Sequence, residues 1–243
     1  MRGHRQVEGW LQRGSLSILW SLLEAQRLHA LAGDVAEIGV FHGKLFIALA
    51  LSLTNEERAV AVDLFEMKRA PDFEQEFRSN LEQFSVPMDR VDIRRCASEM
   101  IALSAAPEIF GSNVRLFSVD GSHEYAAVIH DLNLARACIS QVGIIALDDL
   151  FSAWSPGVSE AAIDFLRHPD NRDIVPLAIS AAHGPLITGA SKLFMVHASQ
   201  VDFYASELMR MNRQSFKTRA SFCGVKTLVF DFTNGVRKRI EFR

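Results

Sequence analysis

The chain reads as an α/β protein built on a mostly parallel, doubly wound sheet. Three observations predict this. Strand-like and helix-like patterns alternate from Asp34 to Leu147, the signature of βαβ units. The strand patterns are nearly all apolar, as they are when helices cover both faces of a sheet. Several of them stop on an acidic residue. Right-handed crossovers bring parallel strands to a common edge, so these acids should meet.

The elements follow in order. Leu16, Leu19, Leu23, Arg27 and Ala30 recur at helical spacing, which predicts an amphipathic N-terminal helix. Arg2 and Arg5 ahead of an apolar run suggest an export signal, but Glu24, Gln26, Arg27 and His29 interrupt that run. Asp34–Gly39 reads as a first strand, Lys44–Leu53 as a helix and Ala59–Asp63 as a second strand. Pro71–Ser85 reads as a helix with Phe73, Phe77, Leu81 and Phe84 on one face. Val91–Arg94 is a weaker strand, and Ser98 and Glu99 open a short helix. Val114–Val119 and Ile144–Leu147 are the fourth and fifth strands, joined by a helix over Tyr125–Ile139. Beyond residue 150 the pattern predicts a helix over Val158–Leu166, strands at Ile174–Ile179 and Leu193–His197, and a helix over Val201–Met211. Thr227–Phe232 and Val236–Phe242 flank Asn234-Gly235, which predicts a C-terminal hairpin. No linker or repeat divides the chain. One domain is expected, with an N-terminal helical segment over 1–32, a core over 33–200, and a C-terminal helix and hairpin over 201–243.

Composition narrows the function. Hydrophobic residues are 49% and charged residues 23% of 243, enough apolar material for a substantial core. The net charge of −3 and the absence of a clustered basic stretch argue against a nucleic-acid partner. No run approaches the ~18 apolar residues of a membrane span. Cys96, Cys138 and Cys223 are scattered and form no Cys-x-x-Cys motif, so neither a disulfide framework nor a zinc site is expected, and a reducing cytoplasmic setting fits.

The loop after the first strand reads Glu37-Ile38-Gly39-Val40-Phe41-His42-Gly43-Lys44. It fits no phosphate cradle: Gly39 to Gly43 is one residue short of a P-loop, and Leu45 stands where a magnesium-binding hydroxyl is needed. Phe41 replaces the middle glycine of a dinucleotide fingerprint. Asp63 ends the second strand, where an acid commonly accepts hydrogen bonds from ribose hydroxyls. A nucleoside without phosphates is therefore the expected ligand, and S-adenosylmethionine fits. Ser98 is placed to contact its adenine or to cap the following helix. Asp120 and the Asp148-Asp149 pair stop the fourth and fifth strands, which suggests a metal or proton-transfer site.

These segments, with Val119-Asp120-Gly121-Ser122-His123-Glu124-Tyr125 and Leu147-Asp148-Asp149-Leu150, resemble class I S-adenosylmethionine-dependent methyltransferases. The similarity is to the methyltransferase domain 24 group, which is related to macrocin-type small-molecule O-methyltransferases, and it spans about residues 33–152. Leu45 departs from the Ser or Thr found in many relatives. The resemblance implies a Rossmann-like core and cofactor contacts at Glu37, Gly39, Phe41, Gly43, Asp63 and Ser98. It also implies a divalent ion, expected to be Mg²⁺, on Asp120, Asp148 and Asp149. Coordination would lower the pKa of an acceptor hydroxyl, and His123, or Asp120 itself, would take the proton. The acceptor pocket is expected around Trp10, Phe151–Pro156 and His183–Lys192. A homo-oligomer is compatible with the edges of the hairpin. The alternative reading is a non-catalytic or scaffold protein that keeps the fold.

Overall fold

The computed structural model describes residues 6–54, 56–66, 72–181 and 191–232. Nine strands form one sheet: β1 (Asp34–Ile38), β2 (Ala59–Asp63), β3 (Val91–Arg95), β4 (Val114–Val119), β5 (Ile139–Leu150), β6 (Ile174–Ser180), β7 (Ser191–His197), β8 (Phe216–Phe222) and β9 (Val225–Phe230). Their order across the sheet is β3-β2-β1-β4-β5-β7-β6-β9-β8. β7 and β8 run antiparallel to their neighbours, and every other pairing is parallel.

Among the described residues there are seven α-helices: α1 (Arg13–Leu28), α2 (Phe46–Ala50), α3 (Glu74–Gln83), α4 (Ala106–Phe110), α5 (Tyr125–Cys138), α6 (Pro156–Arg167) and α7 (Val201–Asn212). Alternate residues of the central strands feed two cores. Val35, Ala59 and Leu116 pack on one face with Phe46 and Phe77; Ala36, Val60 and Phe117 pack on the other with Leu132 and Phe165. This division follows from the two-residue period of a strand, and it explains why strands covered on both faces are apolar throughout. All three cysteines are free.

The order of the strands reverses between β1 and β4. Ligands of open α/β sheets bind at such a reversal, beyond the carboxyl ends of the strands. Glu37 pairs in register with Ser118, and Ile38 with Val119. The loops after β1 and β4 therefore leave the sheet side by side.

The hairpin expected at Asn234-Gly235, with Val236–Phe242 as its second arm, lies outside the described residues; among those described, β8 and β9 form a hairpin that turns at Cys223-Gly224. β8 escapes a hydrophobicity pattern because its interior is exposed and faces no core. Two expectations change. β5 is longer than its apolar stretch, extending from Ile139 to Leu150. The helix after β1 shortens to Phe46–Ala50, flanked by turns.

Candidate active site

A cavity of about 930 Å³ opens at the reversal point, lined among others by Glu37, Gly39, Phe41, Asp63, Ser98 and Asp120. His123, Asp148 and Asp149 also face it. Of the expected site residues, Gly43 alone is absent from its wall. Gly43 instead has φ +87°, and a Cβ there would lie 3.0 Å from the Phe77 ring, so its role is in the turn beneath the wall.

Gly39 is needed for a reason different from ligand approach. With φ +83°, a Cβ on it would sit 1.9 Å from the carbonyl oxygen of Asp120. Only glycine lets the β1 loop press against the β4 loop. The contact is fixed by the Asp120 amide, which donates to the Ile38 carbonyl at 2.9 Å.

Asp63 organises the neighbouring loops. Its Oδ2 accepts from the Phe41 amide at 2.8 Å and its Oδ1 from the Phe65 amide at 2.7 Å. Both phenylalanines have left-handed backbones, φ 47° and 56°, a conformation that non-glycine residues adopt at some cost. Each carboxylate oxygen keeps a further lone pair able to accept another hydrogen bond. Ser98 is buried, with its Oγ 3.3 Å from Glu99 Oε2.

The acids at the centre are crowded. Glu37 is 1% exposed; its Oε1 accepts from Ser118 Oγ at 3.4 Å and its Oε2 has no hydrogen-bond partner among the described residues. Burial, with help from Asp148 and Asp63, pushes its carboxyl up to about 8, against the opposing pull of Lys192. Asp120 is raised well above the usual carboxylate range, by burial first and then by Asp148.

Of the expected acceptor segment His183–Lys192, residues 183–190 lie outside the described residues, and Lys192 sits among the acids, a place that sequence reading missed. It is 1% exposed, and its Nζ lies 3.1 Å from Asp148 Oδ2. Burial alone would lower its pKa, but Asp148, Asp120 and Glu37 outweigh that and raise it. The topology explains its arrival. β7 runs antiparallel, so its first residues lie where the parallel strands end: Ser191 pairs with Leu150 and Lys192 with Ser180. In the sequence it is one polar residue at the start of an apolar strand, which carries no signal of this role.

His123 Nε2 lies 2.6 Å from Asp149 Oδ2. The hydrogen bond to Asp149 raises the pKa of the imidazole. Asp149 has a left-handed backbone, φ 59°, which separates its direction from that of Asp148. Donor atoms of Asp120, His123 and Asp149 all lie within 4.8 Å of one another. Of the three expected metal carboxylates, Asp120 and Asp149 thus converge with His123, whereas Asp148 turns to Lys192.

A doubly wound sheet with its acids at the β1–β4 reversal, over a loop that fits no phosphate cradle, is the Rossmann-like fold of class I methyltransferases. Comparison with known proteins agrees. The family model described as "Methyltransferase domain" matches residues 36–150, a little under half of the chain. No curated protein matches in sequence. Among solved structures, the chain resembles the O-methyltransferase TomG from Streptomyces achromogenes, involved in tomaymycin synthesis and solved with S-adenosylmethionine: 17% identity, TM-score 0.58, covering 81% of this chain and 86% of that one. An O-methyltransferase from Bacillus cereus, in complex with S-adenosylhomocysteine, aligns at 16% identity and TM-score 0.56 over 78% and 82%. The O-methyltransferase NovP aligns at 17% and 0.57 over 74% and 78%. Among the described residues no helix is long and apolar enough to cross a membrane.

Proposed function

We propose that the enzyme transfers the methyl group of S-adenosylmethionine to a hydroxyl oxygen of a small-molecule acceptor, with help from a divalent cation. The observation that carries this reading is the meeting of Glu37, Asp63 and Asp120 in one cavity at the sheet reversal. Asp63 would hold the ribose hydroxyls, and Ser98 borders the adenine side. Glu37 and the loop at Gly39 face the methionine portion. In the reaction the acceptor oxygen forms a bond to the methyl carbon as the carbon–sulfur bond breaks, and S-adenosylhomocysteine leaves.

The proton of the hydroxyl needs a destination. His123 fits: if Nε2–H donates to Asp149, Nδ1 is the free acceptor, and the hydrogen bond that raises the pKa of the ring strengthens it as a base. The donor set also fits a divalent cation. Among the described residues, four acids, Glu37, Asp120, Asp148 and Asp149, have Lys192 and His123 as counter-charges, and Asp120 and Asp149 offer hard oxygen ligands of the kind Mg²⁺ takes. Such an ion, when bound, lowers the pKa of a coordinated hydroxyl and orients it.

Calorimetry with S-adenosylhomocysteine tests the cofactor assignment: the wild type should bind, and Asp63→Ala should weaken binding by about tenfold or more. No binding to the wild type would sink the proposal. Mg²⁺ titration in the same instrument, repeated on Asp149→Ala, tests the cation separately.

A further inference from the structure

Helix α5 carries a buried acid that the reaction does not use. Asp131 is fully buried, and neither of its oxygens has a hydrogen-bond partner among the described residues. Buried polar groups are normally satisfied, so this carboxyl needs a reason. It stands behind the cavity wall, between two turns. On one side is the turn after β4, where a Cβ on Gly121 would come within 3.2 Å of Asp131 Oδ2. On the other is the turn after β3, which the preceding residue holds. His130 Nε2 lies 3.1 Å from the Ser98 carbonyl and 3.0 Å from the Ile101 carbonyl. Both are acceptors, so the ring proton sits on Nε2 and donates to them. α5 thus braces both turns, and Ser98 and Gly121 carry them into the cavity wall.

Ser98 is the residue through which Asp131 reaches the cavity. Burial pushes the Asp131 carboxyl up to about 6, and the Ser98 hydroxyl pulls it back down. At about pH 7.5 the group is ionised. Ser98 Oγ also lies 3.3 Å from Glu99 Oε2, so the hydroxyl stands between two carboxylates. Glu99 is exposed, where water competes for its oxygens; Asp131 is not. An ionised carboxylate only accepts, and it holds a hydroxyl proton more strongly than a neutral partner does. The proton of Ser98 is therefore committed inside the protein, and its oxygen offers the cavity a lone pair.

That orientation decides which base fits. A purine with an amino group on the facing edge, as in adenine, gives the lone pair a donor. Hypoxanthine carries a carbonyl oxygen in its place, and lone pairs would then face each other.

We infer that Asp131 is a positioning residue for the base of the cofactor: through Ser98 it makes the site select a purine that bears an amino group. This rests on reading the cavity as the S-adenosylmethionine site. S-adenosylhomocysteine and S-inosylhomocysteine differ only in that edge of the base, and calorimetry at about pH 7.5 reads the selection as the ratio of their affinities. The wild type should prefer the adenosyl ligand by about tenfold or more. Asp131→Ala and Ser98→Ala should each cut that preference by about fivefold, and the double variant should cut it no further, because the two residues act as one unit. Asp131→Asn keeps the volume and a weaker acceptor, so its preference should fall between wild type and Asp131→Ala. An acid with a merely structural role would weaken both ligands alike and leave the ratio unmoved. The inference is overturned if the wild type does not discriminate, if a folded Asp131 variant keeps the wild-type ratio, or if the Asp131 and Ser98 effects add. Failure of S-adenosylhomocysteine itself to bind the wild type would overturn the methyl-transfer reading, and this inference with it.

Discussion

Two groups of buried charge sit at opposite ends of the same strands, and they are finished differently. At the amino ends, Arg115 is 3% exposed and every arm of its guanidinium is used. Nε meets Glu57 Oε1 at 3.2 Å, Nη1 donates to Gln26 Oε1 at 3.1 Å, and Nη2 donates to the Ser52 carbonyl at 2.9 Å. Glu57 accepts in addition from the amides of Gly33 at 2.8 Å and Thr54 at 2.6 Å. At the carboxyl ends, Glu37 Oε2 is buried with no hydrogen-bond partner among the described residues, and Lys192 Nζ faces Asp148 Oδ2 at 3.1 Å. Buried polar groups are normally satisfied, so a cluster left open needs a reason. The closed network serves the fold. The open one is built to receive something, and it stands at the reversal point of the sheet.

Removing a partner from the closed network should have the largest effect on stability. Arg115→Ala leaves Glu57 buried and uncompensated, which costs about 3–5 kcal/mol and in a chain of this size lowers Tm by about 10 °C. Thermal denaturation followed by circular dichroism reads it directly, and a change of a degree or two would mean that the network is not holding this end of the sheet. The open cluster should respond the opposite way. Asp120→Asn should lower kcat by about 10²-fold or more while Tm holds or rises, because a carboxyl kept above its usual range by burial no longer strains the fold. A drop in Tm with unchanged turnover would reverse the roles assigned to the two clusters.

Both clusters are unequally legible in the sequence. The acids of the open cluster could be found because each ends an apolar strand: Glu37, Asp63, Asp120 and Asp148-Asp149 interrupt runs whose period marks them as buried. Their shared edge follows from the handedness of βαβ units. Arg115 interrupts a strand in the same way, but its partners Gln26, Ser52 and Glu57 lie in three other segments, and no local pattern links them. Lys192 is hidden for the same reason, since its place depends on β7 running antiparallel. The core strands were readable because burial on both faces forces apolar sequence. β8 was not, because an exposed edge strand imposes no such demand. Gly39 was readable as a necessary glycine, yet its cause, the carbonyl of Asp120, appears only in three dimensions.

Titration separates the clusters by sign. Glu37 ionises near 8 in the folded chain against 4.5 when unfolded. The folded state keeps a proton that the unfolded state has lost, so its stabilising contribution is fully present below about pH 4.5 and disappears as pH rises towards 8. Glu57 behaves in reverse. Burial would raise its pKa, but the amides of Thr54 and Gly33 together with Arg115 outweigh that and lower it. Its contribution is present above 4.5 and is lost as pH falls through its lowered folded value. Glu37→Gln, which copies the protonated form, should therefore flatten the decline of unfolding free energy between about pH 5 and 8, a slope worth up to about 1.4 kcal/mol per pH unit for one group. It should leave the acid limb untouched. Urea unfolding at a series of pH values checks both halves, and an unchanged alkaline limb would show that Glu37 is not the group that titrates there.

The smallest effect should come from the rim of the closed network. Tyr204 is buried; its hydroxyl donates to the Val142 carbonyl and accepts from Gln26 Nε2 at 3.1 Å. Tyr204→Phe keeps the ring and removes one donor. Gln26 Nε2 retains its second bond, to the Arg115 carbonyl at 2.8 Å, so only the Val142 carbonyl is left without its partner. That limits the cost to about 1–2 kcal/mol, a fraction of the Arg115 loss. The Val142 end of β5 is also the end remote from Asp148 and Asp149, so cofactor affinity and turnover should match the wild type. A change of about tenfold in S-adenosylhomocysteine affinity would show instead that the two ends of β5 move together, and that the closed network sets the position of the open one.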